Sequence, residues 1–265
     1  MKSIVILLFL SSVLFSKVYY SKVEPYEMRD ISSNVSGIVT YIDENMIGKK
    51  LKNKAYIKID AVLDEKELYL LKGKIKHLQE ILKVDGEILK NLKKSLLKKR
   101  KNYKKVKELK FKSSVEKDRE FYDLVASENL YLSTQKEVEN LKVQISDFKL
   151  RKAQLQQRIR DKYISAKGFV LYAILVKVGQ VVNISTPLAK VADVSKAKLI
   201  VYLDKDDVVD IQKKVIYIDG KKTTYKISRL LHIADSKNIS KYMAQIIIKA
   251  PKLFSTLKSV EFKDR

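Results

Sequence analysis

Residues 68–106, LYLLKGKIKHLQEILKVDGEILKNLKKSLLKKRKNYKKV, place Leu68, Ile75, Leu82, Leu89, Leu96 and Tyr103 seven residues apart. A second set, Leu71, Leu78, Leu92 and Val106, fills the alternate register and is broken by Asp85 and Lys99. This is the a/d seam of a heptad repeat, whose period of about 3.5 residues keeps one apolar stripe against a partner helix. The partner follows in the same chain. Leu124, Tyr131, Val138, Ile145 and Ile159 repeat the pattern, with Leu141, Phe148 and Leu155 as the alternate set. Between the two runs, Lys110-Phe111-Lys112-Ser113-Ser114 interrupts the seam, and Ser113 or Ser114 is suited to cap the helix that follows. The pattern predicts an antiparallel coiled-coil hairpin over residues 61–161 with its tip at about 110–114. At ~1.5 Å per residue each arm is about 70 Å long.

Working outward, the flanks are β-like and resemble each other. Val35-Ser36-Gly37-Ile38-Val39-Thr40-Tyr41-Ile42 reads as a strand, Gly48 as a turn, and Ala55 to Asp60 as a second strand. Beyond the hairpin, Gly168-Phe169-Val170-Leu171-Tyr172 answers Gly37 to Tyr41, and Gly179 follows Gly168 at the spacing that separates Gly48 from Gly37. Leu188 to Asp193 then answers Tyr56 to Asp60. This is an internal repeat split by the coiled coil. Neither half is large enough to bury a core alone, so the two are expected to pack together with the hairpin projecting from them.

From Ala197 the chain is again β-rich. Leu199 to Leu203 reads as a strand, Asp206 to Ile211 as a helical turn, and Asp219-Gly220 as a hairpin turn between Val215–Ile218 and the strand 223–233. Gln245 to Lys249 and Ser259 to Phe262 complete a small β-barrel over 195–265. At the other end, Lys17 to Tyr26 reads as a short extended segment ended by Pro25. Met1-Lys2 followed by the apolar run Ile4 to Phe15 reads as a signal peptide or N-terminal anchor over residues 1–16, which places the mature chain outside the cytoplasm.

These segments together resemble the periplasmic adaptor family, the HlyD-like membrane fusion proteins of tripartite efflux pumps and type I secretion systems. Ser36 to Val39 and Ile57 to Asp60 are similar to the first half of that family's lipoyl-like domain (residues 17–60). Ala166 to Val170, Val178 to Val182 and Thr186 to Asp193 are similar to the second half (residues 162–194). Leu199 to Leu203 with Asp207 to Ile211 resembles the entry to the family's barrel. The first half-motif departs from the pattern: Asn53 stands where a second turn glycine is expected, and the segment is one residue short. The resemblance implies an α+β chain: a long antiparallel coiled-coil α-hairpin inserted in a split lipoyl-like (barrel-sandwich hybrid) domain, followed by a small β-barrel. Gly37, Gly48, Gly168 and Gly179 would be the half-motif turns. The family's channel-contacting tip has a Ser, then Glu three and Asp five residues later, matched by Ser113, Glu116 and Asp118 beside Val106, Leu109 and Ser114. The implied partners are an inner-membrane transporter of RND or ABC type, a TolC-like outer-membrane channel, and further copies in a ring. A compact adaptor without a membrane-proximal domain is expected.

Other function classes find little support. Cysteine is absent and only His77 and His232 occur, which excludes disulfides, thiolate chemistry and a histidine-rich metal site. No phosphate loop, H-E-x-x-H or nucleophile elbow is present, so neither catalysis nor a cofactor is expected. The formal charge of +24 and the nine basic residues from Lys93 to Lys107 would suit nucleic acid. Such runs are usually solvated helix faces, and a secreted chain meets no nucleic acid. A lipoyl carrier needs an unsplit domain presenting one lysine on a tight turn. A periplasmic coiled-coil tether without a transport role remains the alternative.

Overall fold

The structure is a computed structural model that describes residues 17–231 and 241–264. The signal-like run and His232 lie outside the described residues. Four strands precede the helices: β1 (Val18–Lys22), β2 (Glu24–Ser32), β3 (Gly37–Ile42) and β4 (Ile57–Ile59). The hairpin is α1 (Val62–Glu108) and α2 (Ser114–Asp161). It leads into β5 (Tyr163–Ile164), β6 (Val170–Ile174), β7 (Val181–Val182) and the long β8 (Pro187–Leu203). A helical turn, α3 (Lys205–Val208), precedes β9 (Val215–Ile218), β10 (Lys221–Lys222), β11 (Ile227–Leu230), β12 (Tyr242–Lys249) and β13 (Leu257–Lys263).

The heptad residues lie along the helix–helix seam. Leu71, Ile75, Leu96, Val138, Ile145 and Leu155 are buried, and Leu68 and Phe148 close around them at the base. The two positions that break the pattern differ in their solutions. Lys99 reaches across the seam to Asp123 at 2.8 Å, while Asp85 stays half-buried on it. At the base, Asp64 lies 2.6 Å from Lys162 and 3.1 Å from Arg158, and Arg151 pairs with Glu67. Tyr163 donates to Glu65 at 2.8 Å. The ion pairs fasten the two helix ends to each other, and Tyr163 on β5 ties α1 to the strand beneath it.

The two flanks pack on one core containing Val39, Leu51, Tyr56, Ile57, Ile59, Leu171, Val182, Leu188, Ala189 and Val191. The split repeat is visible in the backbone bonds. Gly48 donates to the Leu171 carbonyl and Leu171 to that of Lys49, as Gly179 donates to Val39 and Val39 to Gln180. Likewise Asp43 donates to Tyr56 as Leu175 donates to Leu188. Val39 therefore corresponds to Leu171, and Tyr56 to Leu188.

This corrects the alignment read from the glycines. Gly48 and Gly179 are equivalent, and both have positive φ (78° and 87°). Gly37 is not the counterpart of Gly168, because the strand pairing aligns Gly168 with Ser36. The first half carries one extra residue in the 3-10 turn at Glu44–Met46, so equal glycine spacing pairs two glycines that are one position out of step, and one residue fewer between Leu51 and Tyr56 restores the register afterwards. Gly168 sits at φ 94°, a conformation that suits glycine. Gly37 is the first residue of β3, and it is small for a different reason: a Cβ there would lie 2.6 Å from Cγ2 of buried Ile59.

A second core gathers Tyr19, Val23, Leu199, Val201, Leu203, Ile211, Ile216, Ala244, Ile246, Val260 and Phe262. One sheet is ordered β1-β13-β9-β10, and another is ordered β11-β12-β8-β2 with β6 also on β8. Ser21, buried on β1, joins the two by accepting the Ile200 N–H at 2.8 Å, closing the barrel with a side chain where the ladder stops. Strand β8 belongs to both β units. Its residues 189–192 pair with β6 and 196–203 with β12, while β2 runs along its other edge from Glu24 to Ser32. Pro25 does not end the N-terminal segment as expected. It lies inside β2 at a register shift, where a missing N–H is tolerated.

Candidate functional site at the hairpin tip

Helix α1 ends where Leu109 turns extended (ψ 120°), its N–H bonded to the Val106 carbonyl at 3.2 Å. Four residues later Ser113 caps α2. Its hydroxyl accepts the Glu116 N–H at 3.3 Å, and its own N–H donates to the Glu116 carboxylate at 3.0 Å. This reciprocal capping box satisfies two donors that a helix start leaves open. Lys112 adds an ion pair to Glu116 at 2.7 Å. Lys112 first, then the Ser113 N–H and hydroxyl, hold the Glu116 carboxyl down at about 2.

The six tip residues singled out from the sequence therefore have different situations. Ser113 and Glu116 face each other and are engaged locally. Val106 and Leu109 are half-buried at the end of the seam. Ser114 and Asp118 are exposed, and the Asp118 side chain has no hydrogen bond or ion pair among the described residues. The four glycines are not part of this site, since they lie in the β unit at the hairpin's base.

Two apolar residues at the tip went unnoticed in the sequence: Phe111, 79% exposed, and Val115, also exposed. Their signal was present in the pattern, because neither falls on the a/d seam, so neither has a partner inside the hairpin. Beneath them Tyr103 and Phe121 meet across the seam with ring centroids 5.7 Å apart, and Tyr122 stands exposed beside Phe121. Charge is also concentrated here. Residues 93–123 hold thirteen lysines and arginines against five carboxylates, whereas the rest of the two helices holds thirteen against eleven. Lys99 pairs with Asp123, Arg100 with Glu128 and Lys112 with Glu116, which leaves most of the excess facing solvent. The tip is thus an apolar crown on a basic collar, an arrangement able to dock on an acidic surface with an apolar centre.

No protein-family model matches the sequence, and no curated protein matches it. Solved structures do match the fold. The crystal structure of MacA from Actinobacillus actinomycetemcomitans covers 93% of this chain and 78% of its own at 17% identity, with a TM-score of 0.72. A MacA–MexA chimera carrying the Pseudomonas aeruginosa MexA α-hairpin covers 94% and 82% at 17% identity, with a TM-score of 0.55. The membrane fusion protein Spr0693 from Streptococcus pneumoniae R6 covers 94% and 100% at 11% identity, with a TM-score of 0.52. The chain thus has the architecture of these structures, a helical hairpin set in a split lipoyl-like domain and followed by a β-barrel.

Proposed function

We propose that this chain is a non-enzymatic adaptor of the HlyD-like kind, working in the periplasm and held near the inner membrane. In this reading its two β units stand beside copies of themselves over an inner-membrane transporter of RND or ABC type. The hairpins reach a TolC-like outer-membrane channel and enclose a route across the envelope. The supporting observation is the likeness to MacA over 93% of the chain, which takes in both β units and the hairpin. The tip chemistry fits the channel-docking role. Phe111 and Val115 supply apolar contact, the collar of lysines supplies attraction to an acidic rim, and the capping box holds the turn in shape. Repeated around a ring, contacts that are individually weak add up through effective concentration.

Site-specific photocrosslinking in intact cells tests this reading. A photoreactive residue at Phe111 is expected to capture the TolC-like channel protein encoded in the same genome, while one at Lys136 in mid-shaft captures none of it. Phe111 is chosen over Ser113 because replacing Ser113 removes the cap. Failure of Phe111 to reach the channel, in cells where the protein is periplasmic, would favour a tether without a transport role.

A further inference from the structure

Helix α1 carries a second apolar stripe that the hairpin does not use. Leu63, Leu70, Ile81, Val84 and Ile88 are exposed on one side of the helix, about a third of a turn around from the seam. Within it lies Gly73. Glycine inside a helix costs about 1 kcal/mol relative to alanine, so its place needs a reason. Packing inside this chain supplies none, because a Cβ at Gly73 would meet nothing within 4 Å. The result is an open notch walled by Tyr69, Leu70, Lys76 and His77.

The outer face of α2, opposite its seam, carries protruding Leu150 (62% exposed) and Val143 (60% exposed), seven residues apart. Their height along the hairpin follows from the cross-helix contacts. Lys74 lies 4.3 Å from the Phe148 ring, and Gln79 and Leu82 share a groove with Lys142 and Ile145. Leu150 is therefore level with Gly73, and Val143 is level with the stretch of α1 between His77 and Val84. Knobs seven residues apart on one helix face holes seven residues apart on the other, at the same heights.

We infer that α1 of one copy receives α2 of a neighbouring copy along this stripe, with Leu150 seated in the Gly73 notch and Val143 between His77 and Val84. The occupant is a second copy because the matching knobs are on this chain and at the right level. The contact is head-to-tail, since the donor and acceptor faces differ, so each copy can both give and receive. The inference rests on the adaptor reading for the parallel, side-by-side stance of the copies. It fixes which faces meet and in what register.

The absence of cysteine makes the test clean. The purified full chain carrying Leu150→Cys with His77→Cys is oxidised and run without reductant. A ladder of dimers and larger species is expected, because each copy can link to two others. Leu150→Cys with Asn91→Cys, displaced by about 20 Å along α1, is expected to give no ladder. Within one chain neither pair can close, since the two outer faces point apart. Gly73→Leu fills the notch and is expected to abolish the ladder from the first pair while the chain remains folded by circular dichroism. A ladder from the Asn91 pair, dimers from Leu150→Cys alone, a ladder undiminished by Gly73→Leu, or no crosslink at all would each overturn the inference. Loss of this interface with the Phe111 channel adduct intact would remove it and leave the adaptor reading standing.

Discussion

Tyr56→Phe is expected to stabilise the lipoyl-like unit. Tyr56 fills the core position that Leu188 fills in the second half of the repeat, and it is 1% exposed. Its hydroxyl is buried with no hydrogen-bond partner among the described residues. A buried polar group left unpaired costs about 1–3 kcal/mol, and phenylalanine keeps the ring while removing the group that causes the cost. For a chain of this size each kcal/mol is worth about 2–4 °C in melting temperature. The same burial raises the phenol from 10.0 to about 12. A group whose folded pKa lies above its unfolded one contributes stability that is complete below pH 10 and is lost as pH rises through about 12. At about pH 11 the wild-type chain will therefore have lost about 1.4 kcal/mol that Tyr56→Phe does not lose. Urea unfolding followed by circular dichroism, at neutral pH and again near pH 11, measures both effects. A variant less stable than wild type at neutral pH, or an advantage that does not widen in alkali, would refute the reasoning and mean the hydroxyl is satisfied.

Two further outcomes follow from the geometry. Gly37→Ala forces a Cβ to within 2.6 Å of Ile59 Cγ2, and a loss of about 1–3 kcal/mol from overpacking is expected in the same urea assay. Ser113→Ala removes the capping box, so amide exchange should accelerate at Val115 to Lys117, reflecting about 1 kcal/mol of local stability, with the base of the hairpin unchanged. Because the Glu116 carboxyl is depressed from 4.5 to about 2, its support for the cap is present above about pH 4.5 and lost as pH falls through about 2. A carboxyl titration by NMR should show that midpoint rise toward 4.5 in Lys112→Ala, and by less in Ser113→Ala, which keeps the Lys112 ion pair and the backbone N–H.

The hairpin was the most legible part of the sequence because seam burial writes itself as a seven-residue period. Only the seam is legible in that way: the exposed stripe around Gly73 looks like noise until the other helix is set at the same height. The split repeat was visible through its apolar residues and glycines, but its register was not. Gly37 and Gly168 are one position out of step, and only the bonds from Val39 and Leu171 reveal it. Strand β2 escaped notice because EPYEMRDIS alternates poorly and contains a proline. Its pairing comes from the neighbouring β8, which no local preference records. At the tip, Ser113 and Glu116 had spacings consistent with both a cap and a docking motif. The structure engages both in the cap, while Phe111 was hidden in a stretch read only as an interruption and Val115 stands just beyond it.

Strand β8 has a mechanical consequence. Adjoining domains usually turn on a few unpaired residues, but here a single strand passes from one core to the next with β2 bonded along its flank. Swinging the barrel against the lipoyl-like unit would mean breaking ladder bonds rather than rotating free dihedrals. The compliant point is the irregular pairing at Pro25 to Glu27. Push or torque delivered to the barrel therefore passes through a spliced beam into the core shared with the β5-β4-β3-β7 sheet that seats the hairpin, and a small tilt at the bottom becomes a sweep of the tip some 70 Å away, at ~1.5 Å of lever per residue.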